Sequence, residues 1–262
     1  MPEPQPGNGD HQAQNSLGMP FVELQSVDST NNYAREQIKQ GLAQHGMAFF
    51  THEQTAGKGQ REKAWVSEKD ANITLTILVN PHPLGIKDQF QLSACAAVAI
   101  HQLFQQYAGE DSKIKWPNDL YWQDRKAAGI LIENILGTGD DPVWKWAIAG
   151  MGININQVRF PPEIQHPVSL KQITGKSHDP VILAQELCRI MNEYWEELCT
   201  RGPAKIFSLY NEYLYKKGKT VKFKKGGIVF EATIQSVTNN GKLVVKHAIE
   251  EEFNFGDVEW VI

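Results

Sequence analysis

KWPNDLYWQDRKAAGILIE, residues 115–133, decides how this chain is read. Pro117 and Asn118 suit a tight turn between two strands. A turn alone needs neither the flanking Lys115 nor Asp119. Lys126 stands between a polar turn and a continuously apolar strand, where a surface lysine at a strand edge is the plain alternative. Gly129, three residues on, marks a close backbone approach within that strand.

Downstream, Gly150-Met-Gly152-Ile-Asn154-Ile-Asn156 sets two glycines inside an apolar strand, with two asparagines on the same face. Glycine weakens a strand unless something needs the space. The floor of a polar site and a bulged strand end are equal readings of this segment alone. Upstream, EQTAGKGQREKAW (53–65) follows a predicted strand and packs Lys58, Arg61 and Lys63 among Gly57 and Gly59. Glycines admit close backbone approach, and cations hold phosphate or carboxylate. A solvated loop with scattered lysines would look the same.

Around these motifs the pattern predicts a strand FVELQSV (21–27), then a helix capped at Asp28-Ser29-Thr30-Asn31 and running to about Gly41. Strands are expected at 47–52, 72–80, 113–122, 126–134 and 144–156, and a helix at 89–107. Leu183, Leu187, Ile190, Met191, Tyr194 and Leu198 form one stripe of a helix over 179–200, and a shorter helix covers 203–213. From Lys219 the period changes to two. Val221, Phe223, Phe230, Ala232 and Ile234 alternate, Asn239-Asn240-Gly241 signals a hairpin, and Phe253, Phe255, Val258, Trp260 and Ile262 complete about five short strands. The expected architecture is α+β: a disordered leader (1–18), a mixed sheet with flanking helices (19–216) and a small SH3-sized β-barrel (217–262).

The composition is that of a globular chain. Its 262 residues are 41% hydrophobic and 21% charged, with net charge −4. An acidic balance without a basic run argues against DNA as a partner. No apolar run reaches membrane-spanning length. Three scattered cysteines, Cys95, Cys188 and Cys199, make a poor disulfide framework, which points to the cytoplasm. Eight dispersed histidines give no zinc-ligand spacing.

Taken together, GKGQR…W, KWPNDLYW…KAAGILIE and GMGININ resemble the biotin–protein ligase family, with DSTN (28–31) and the β-tail falling in matching places. The resemblance runs over nearly the whole chain from Phe21, and KWPND followed by KxxGILxE is its most specific part. It implies a catalytic domain related to class II aminoacyl-tRNA synthetases and lipoate ligases, with an SH3-like tail. It also implies an ATP-dependent ligase with Mg²⁺ and biotinyl-5′-AMP as bound intermediate. The acceptor is a lysine of a biotin carboxyl carrier domain. Homodimers through the catalytic sheet occur in the family. The absence of a winged helix before Phe21 corresponds to its non-regulatory type.

By that resemblance Ser29, Thr30, Asn31 and Gln54 contact biotin, with Gly57 and Lys58 in the closing loop and Gly129 beside Lys126. Lys126 holds the biotin carboxylate. Gln60, Arg61, Lys63, Trp65, Lys115, Asn118, Gly152 and Asn154 fall where ATP is held, and Asp119 is the candidate magnesium ligand. Lys126, Lys58, Arg61 and Asp119 are the expected catalytic set. The loop departs from the common G-R-G-R-x-G-R-x-W: Gln60 stands in place of arginine and Glu62 in place of glycine, with Arg61 next door. A lipoate ligase would carry Arg-Arg and Gly-Gly-Gly patterns, which are absent. A non-catalytic binding module is the reading favoured by Gln60 and Glu62 and opposed by the joint presence of Lys115, Asn118, Asp119 and Lys126. A DNA-binding repressor is opposed by the acidic charge.

Overall fold

The computed structural model describes residues 16–138 and 143–261. Two sheets make up the β-structure. The larger has seven strands: β1 (Phe21–Leu24), β2 (Ala48–Thr51), β3 (Ile73–Val79), β4 (Ser112–Lys115), β5 (Asp119–Trp122), β6 (Arg125–Leu136) and β7 (Trp144–Ile153). Their spatial order is β1-β2-β3-β7-β6-β5-β4. Only β1 and β2 run parallel, and every other pair is antiparallel.

The strand period of two sorts the side chains onto two faces. Phe49, Leu78 and Ile148 meet Ala34 of α1 (Thr30–Lys39). Their neighbours Phe50, Ile77, Val79 and Ala147 join the main core beneath α2 (Gln89–Ala108), α4 (Pro180–Arg201) and α5 (Ala204–Glu212). The sheet is therefore buried on both faces, which explains why every residue of β3 (ITLTILV) is buried and why it is apolar except at Thr74 and Thr76. Asp179 caps α4 through Val181 N and Ile182 N. A one-turn helix α3 (Leu170–Thr174), capped by Ser169, has too few residues for a periodic signal.

The tail is a five-stranded antiparallel sheet of order β11-β10-β9-β8-β12. Its strands are β8 (Thr220–Lys225), β9 (Ile228–Val237), β10 (Leu243–Lys246), β11 (Glu250–Phe253) and β12 (Glu259–Val261). The hairpin at Asn239-Asn240-Gly241 docks on α2. A Cβ on Gly241 would sit 2.4 Å from the Phe90 ring, so glycine is required there by contact.

Two expectations need correction. The leader does not extend to Gly18: Leu17 is buried, and its N–H bonds Asn192 Oδ1 at 2.7 Å. Residues 1–15, the rest of that leader, lie outside the described residues. Phe255 and Val258 are not strand residues: Phe255 is part of the β11–β12 turn, which points back at the large sheet, and Val258 precedes β12, while Ile262 lies outside the described residues.

Candidate active site

Register builds the site. Across the α1 face of the sheet, Lys115 pairs with Asp119, Asp119 with Gly129, Gly129 with Gly152, and Gly152 with Thr74. Directly paired residues share a face, so these five positions form one row over five strands. The next row is Leu131, Gly150 and Thr76. At about 3.4 Å per residue the rows lie about 7 Å apart.

The glycines have specific occupants. A Cβ on Gly152 would fall 2.3 Å from Cε2 of Trp65, and one on Gly150 would fall 2.3 Å from Oδ1 of Asn31. The GMG segment is thus a floor, with Trp65 over one end and Asn31 wedged into the other. Over the Trp65 end, Lys126 Nζ sits 2.7 Å from Asp119 Oδ1 and 6.0 Å from the indole centroid. Asn154 anchors this lysine's backbone, since its Nδ2 donates to the carbonyls of Val168 (3.2 Å) and Lys126 (3.4 Å). Asn118 Nδ2 likewise donates to the Ile130 carbonyl at 2.6 Å and fastens the Pro117-Asn118 turn to β6. Both amides expected to face ATP are therefore bonded to backbone around the site.

Residues 53–56 extend alongside Val27 and Asp28, which brings Gln54 to the start of α1. Gln54 Oε1 accepts from Thr30 N at 2.8 Å and lies 3.1 Å from Thr30 Oγ1. Ser29, Thr30 and Asn31 are buried. Asn31 is the expected ring contact whose side chain the structure commits elsewhere: its Nδ2 donates to Glu133 Oε2 at 2.8 Å and its Oδ1 accepts from Thr76. It clamps α1 to the sheet behind Ser29 and Thr30.

The loop 57–65 is a small hairpin closed on itself by Gly59 N–Lys63 O (2.7 Å) and Trp65 N–Gly57 O (2.9 Å). Lys58 Nζ ties it to Asn32 Oδ1 at 2.6 Å. Arg61, with φ 54°, lays its guanidinium 4.6 Å from the Phe255 centroid, so the loop tip touches the tail. Gln60 is half-buried, and Lys63 is exposed on the outside of the loop. Trp65 Nε1 is buried over the floor with no partner among the described residues.

Lys115 is buried in an aromatic cage. Its Nζ lies 4.4 Å from the Tyr121 centroid, 6.0 Å from Tyr215 and 5.0 Å from Trp260 of the tail, and donates to Tyr121 Oη at 3.1 Å. Burial pulls its ammonium down to about 8, against the opposing pull of Asp119. The tail also reaches the motif through Trp116, whose Nε1 donates to the Gly241 carbonyl at 2.9 Å. Glu133, Arg35, Thr76, Phe255 and Trp260 were not singled out as site residues. For Glu133 and Thr76 the signal lay in strand parity, which puts them on the face of Gly129 and Gly150. For the others the contacts are long-range and leave no local pattern.

Among the described residues, no three His, Cys, Asp or Glu side chains converge on a possible metal. Asp119 is paired with Lys126, and the amides of Asn118 and Asn154 are spent on carbonyls. These donors do not fit a resident metal. No helix among the described residues is long and apolar enough to cross a membrane.

Residues 23–142 match the model of the biotin/lipoate A/B protein ligase family. The chain is 35% identical over 191 residues to the bifunctional ligase/repressor BirA of Escherichia coli, covering 72% of this chain and 57% of that protein. It is 27% identical over 230 residues to the biotin–[acetyl-CoA-carboxylase] ligase of Paracoccus denitrificans, covering 85% and 92%. Its fold is that of the biotin protein ligase of Aquifex aeolicus, solved with biotin and ATP: TM-score 0.76, 23% identity, 91% of this chain and 97% of that one. The chain is similar to the biotin/lipoate A/B protein ligase family over residues 23–142, and its relatives and structural neighbours support a biotin–protein ligase.

Proposed function

We propose that this chain activates biotin with ATP to biotinyl-5′-AMP and transfers the acyl group to a lysine of a biotin carboxyl carrier domain. The observation that carries this reading is the Lys126–Asp119 pair on a glycine floor beneath a folded, cationic loop. The ring end of biotin lies against Ser29, Thr30 and Gln54, in front of the Asn31 that covers Gly150 and Thr76, and its carboxylate reaches Lys126 beside the row of Asp119 and Gly152. On this reading the ligase domain, related to class II synthetases, takes in Leu17 and runs to 216, and 217–262 is an SH3-like tail that walls the nucleotide side.

A carboxylate attacking a phosphate brings two anions together, a repulsion of about 4 kcal/mol at 4 Å with an effective dielectric near 20. Lys126 sits where that repulsion would build, and Lys58 and Arg61 add positive charge from the loop. Positioning and electrostatics supply the rate, without a covalent enzyme intermediate. ATP arrives as its magnesium complex, so the metal enters as part of the substrate. The mixed anhydride is open to hydrolysis, and Trp65 with the loop 57–65 excludes water from it. In transfer, the carrier lysine attacks the acyl carbon and AMP leaves. Asp119 takes part in removing the amine proton. Among the described residues, no strand pairs with β6 beyond Ile130 on the side away from β7, which supports docking of an extended carrier segment or a second copy at that edge. The working compartment on this reading is the cytoplasm.

The test is biotin-dependent ATP–pyrophosphate exchange, with lipoate as parallel substrate. Exchange with biotin and not lipoate supports the reading. Exchange with lipoate alone would move the chain to the other branch of its family. No exchange from folded protein would favour the binding-module alternative.

A further inference from the structure

Behind the ring end runs a chain of hydrogen bonds whose direction can be worked out from its two ends. Arg35 donates to Glu133 Oε1 at 2.6 Å. Asn31 Nδ2 donates to Glu133 Oε2 at 2.8 Å and reaches the Leu131 carbonyl at 3.4 Å. Both neighbours are acceptors, so the NH₂ end of the Asn31 amide must face them and its oxygen must face Thr76. Thr76 Oγ1 lies 2.7 Å from that oxygen and spends its one hydrogen there. Thr76 Oγ1 is also 2.8 Å from Thr30 Oγ1, and having spent its hydrogen it faces Thr30 as an acceptor. Gln54 Oε1 is a second acceptor for Thr30, already taking its backbone N–H. Thr30 has one hydroxyl hydrogen and two acceptors on its inner side. Only lone pairs remain to turn toward the ring. Thr30, Asn31 and Thr76 are all buried, where an unsatisfied acceptor is costly, so reversing the chain is disfavoured at every link.

We propose that Glu133, Asn31 and Thr76 hold the Thr30 hydroxyl as an acceptor and thereby select a ring N–H donor over a ring oxygen at that position. This rests on the reading of Thr30 as a ring contact. Glu133, Asn31 and Thr76 are positioning residues that act through Thr30. The ligand class admitted is a cyclic urea or amide presenting N–H to Thr30. Cyclic carbamates with oxygen at that place are refused, because two sets of lone pairs would face each other.

The experiment is calorimetric titration of the full chain with biotin and with the two ring analogues in which one or other N–H is replaced by oxygen. One analogue should bind wild type at least about 50-fold more weakly than biotin, as expected where a polar site loses its matching donor. Asn31→Ala releases the Thr76 hydrogen toward Thr30 and frees Thr30 to donate outward, so the ratio should fall below about tenfold. If Asn31→Ala is unfolded by circular dichroism, Asn31→Leu keeps the volume and gives the same readout. Thr76→Val likewise leaves Gln54 as the one inner acceptor of Thr30, so it should lower the ratio in the same direction as Asn31→Ala. A wild-type ratio below about fivefold for both analogues, or an unchanged ratio in the folded Asn31 variant, overturns the proposal. Thr30→Val separates it from the underlying reading. Unchanged biotin affinity in that variant would mean that Thr30 does not touch the ring at all.

Discussion

Gly152→Ala tests the floor of the site with a single methyl group. That carbon would lie 2.3 Å from Cε2, 2.6 Å from Nε1 and 2.7 Å from Cζ2 of Trp65. The strand cannot withdraw, because β7 is held at this residue between Thr74 of β3 and Gly129 of β6. Nor does the indole have slack in its own backbone, since Trp65 N is bonded to the Gly57 carbonyl at 2.9 Å. The ring must swing off the floor and carry the loop 57–65 with it. Overpacking of this kind costs about 1–3 kcal/mol. At about 1.4 kcal/mol per factor of ten, the closed loop loses roughly 5- to 150-fold in population. Exchange kinetics should show KM for ATP and biotin rising by that order, and trypsin should cut at Lys58, Arg61 and Lys63 faster. The melting temperature should change little, because the loop lies outside both hydrophobic cores. Gly150→Ala is the contrast. Its methyl meets Asn31 Oδ1 at 2.3 Å within a buried network, so about 2–4 kcal/mol of stability is lost and the melting temperature falls by roughly 5–15 °C. Unchanged KM and unchanged cleavage in folded Gly152→Ala would refute the assignment of Gly152 as the seat of Trp65.

Lys126→Ala should lower pyrophosphate exchange by about two to three powers of ten, the size of the roughly 4 kcal/mol repulsion it screens; a loss under about fivefold would remove it from the centre of the mechanism. Asp119→Asn should slow transfer from preformed adenylate by about 10- to 100-fold, and intact transfer would show that Asp119 is not the base. For Lys115, a folded-state value near 8 against 10.5 in the unfolded chain means that the charged form is disfavoured by folding, so it costs stability below pH 8. That cost is relieved as pH rises from about 8 to 10.5, by up to roughly 3 kcal/mol at about 1.4 kcal/mol per pH unit. Urea unfolding of wild type and Lys115→Met at pH 7 and pH 10 should show this rise in the difference between them, and equal pH dependence would refute it. Phe255→Ala removes a half-exposed cation–π contact of about 0.5–1 kcal/mol. It should raise KM for ATP about two- to fivefold in exchange kinetics, and an unchanged KM would show that the tail does not hold the loop.

How far the site was legible depends on the range of the contacts. Gly150 and Gly152 announce themselves locally, because glycine in an apolar strand demands an occupant, though the sequence could not name Trp65 and Asn31 as those occupants. Lys126 and Gly129 are three residues apart on one strand, and the Pro117-Asn118 turn returns Asp119 beside them. All of that is short-range geometry. Asn31 is assigned to biotin by resemblance alone, and no local pattern shows that Glu133, 102 residues away, draws its amide to the sheet. Asn118 and Asn154 look like free amides in the sequence, and their backbone partners exist only once the strands pair. The helix α3 spans five residues, less than the two turns that a period needs. Phe255 alternates in phase with its neighbours, yet the ring leaves the strand pattern for Arg61 and Trp116, contacts that depend on how the two sheets dock.

The tail supplies walls, and the contacts say which. Trp116, between Lys115 and the Pro117-Asn118 turn, is fixed by the Gly241 carbonyl and flanked by Phe255. Lys115 is enclosed on one side by Trp260. Arg61, at the tip of the loop, stacks on Phe255. Each contact joins one tail residue to one motif that carries charge into the site. Shifting the tail sheet would therefore alter three things together: the desolvation of Lys115, the seat of Trp116 and the resting position of the loop. An ammonium held near 8 by burial is sensitive to a loss of aromatic cover, and a loop anchored at both Asn32 and Phe255 is sensitive to a shift of either. The small β-sheet thereby becomes part of the electrostatics of the large one, although it contributes neither group of the Lys126–Asp119 pair.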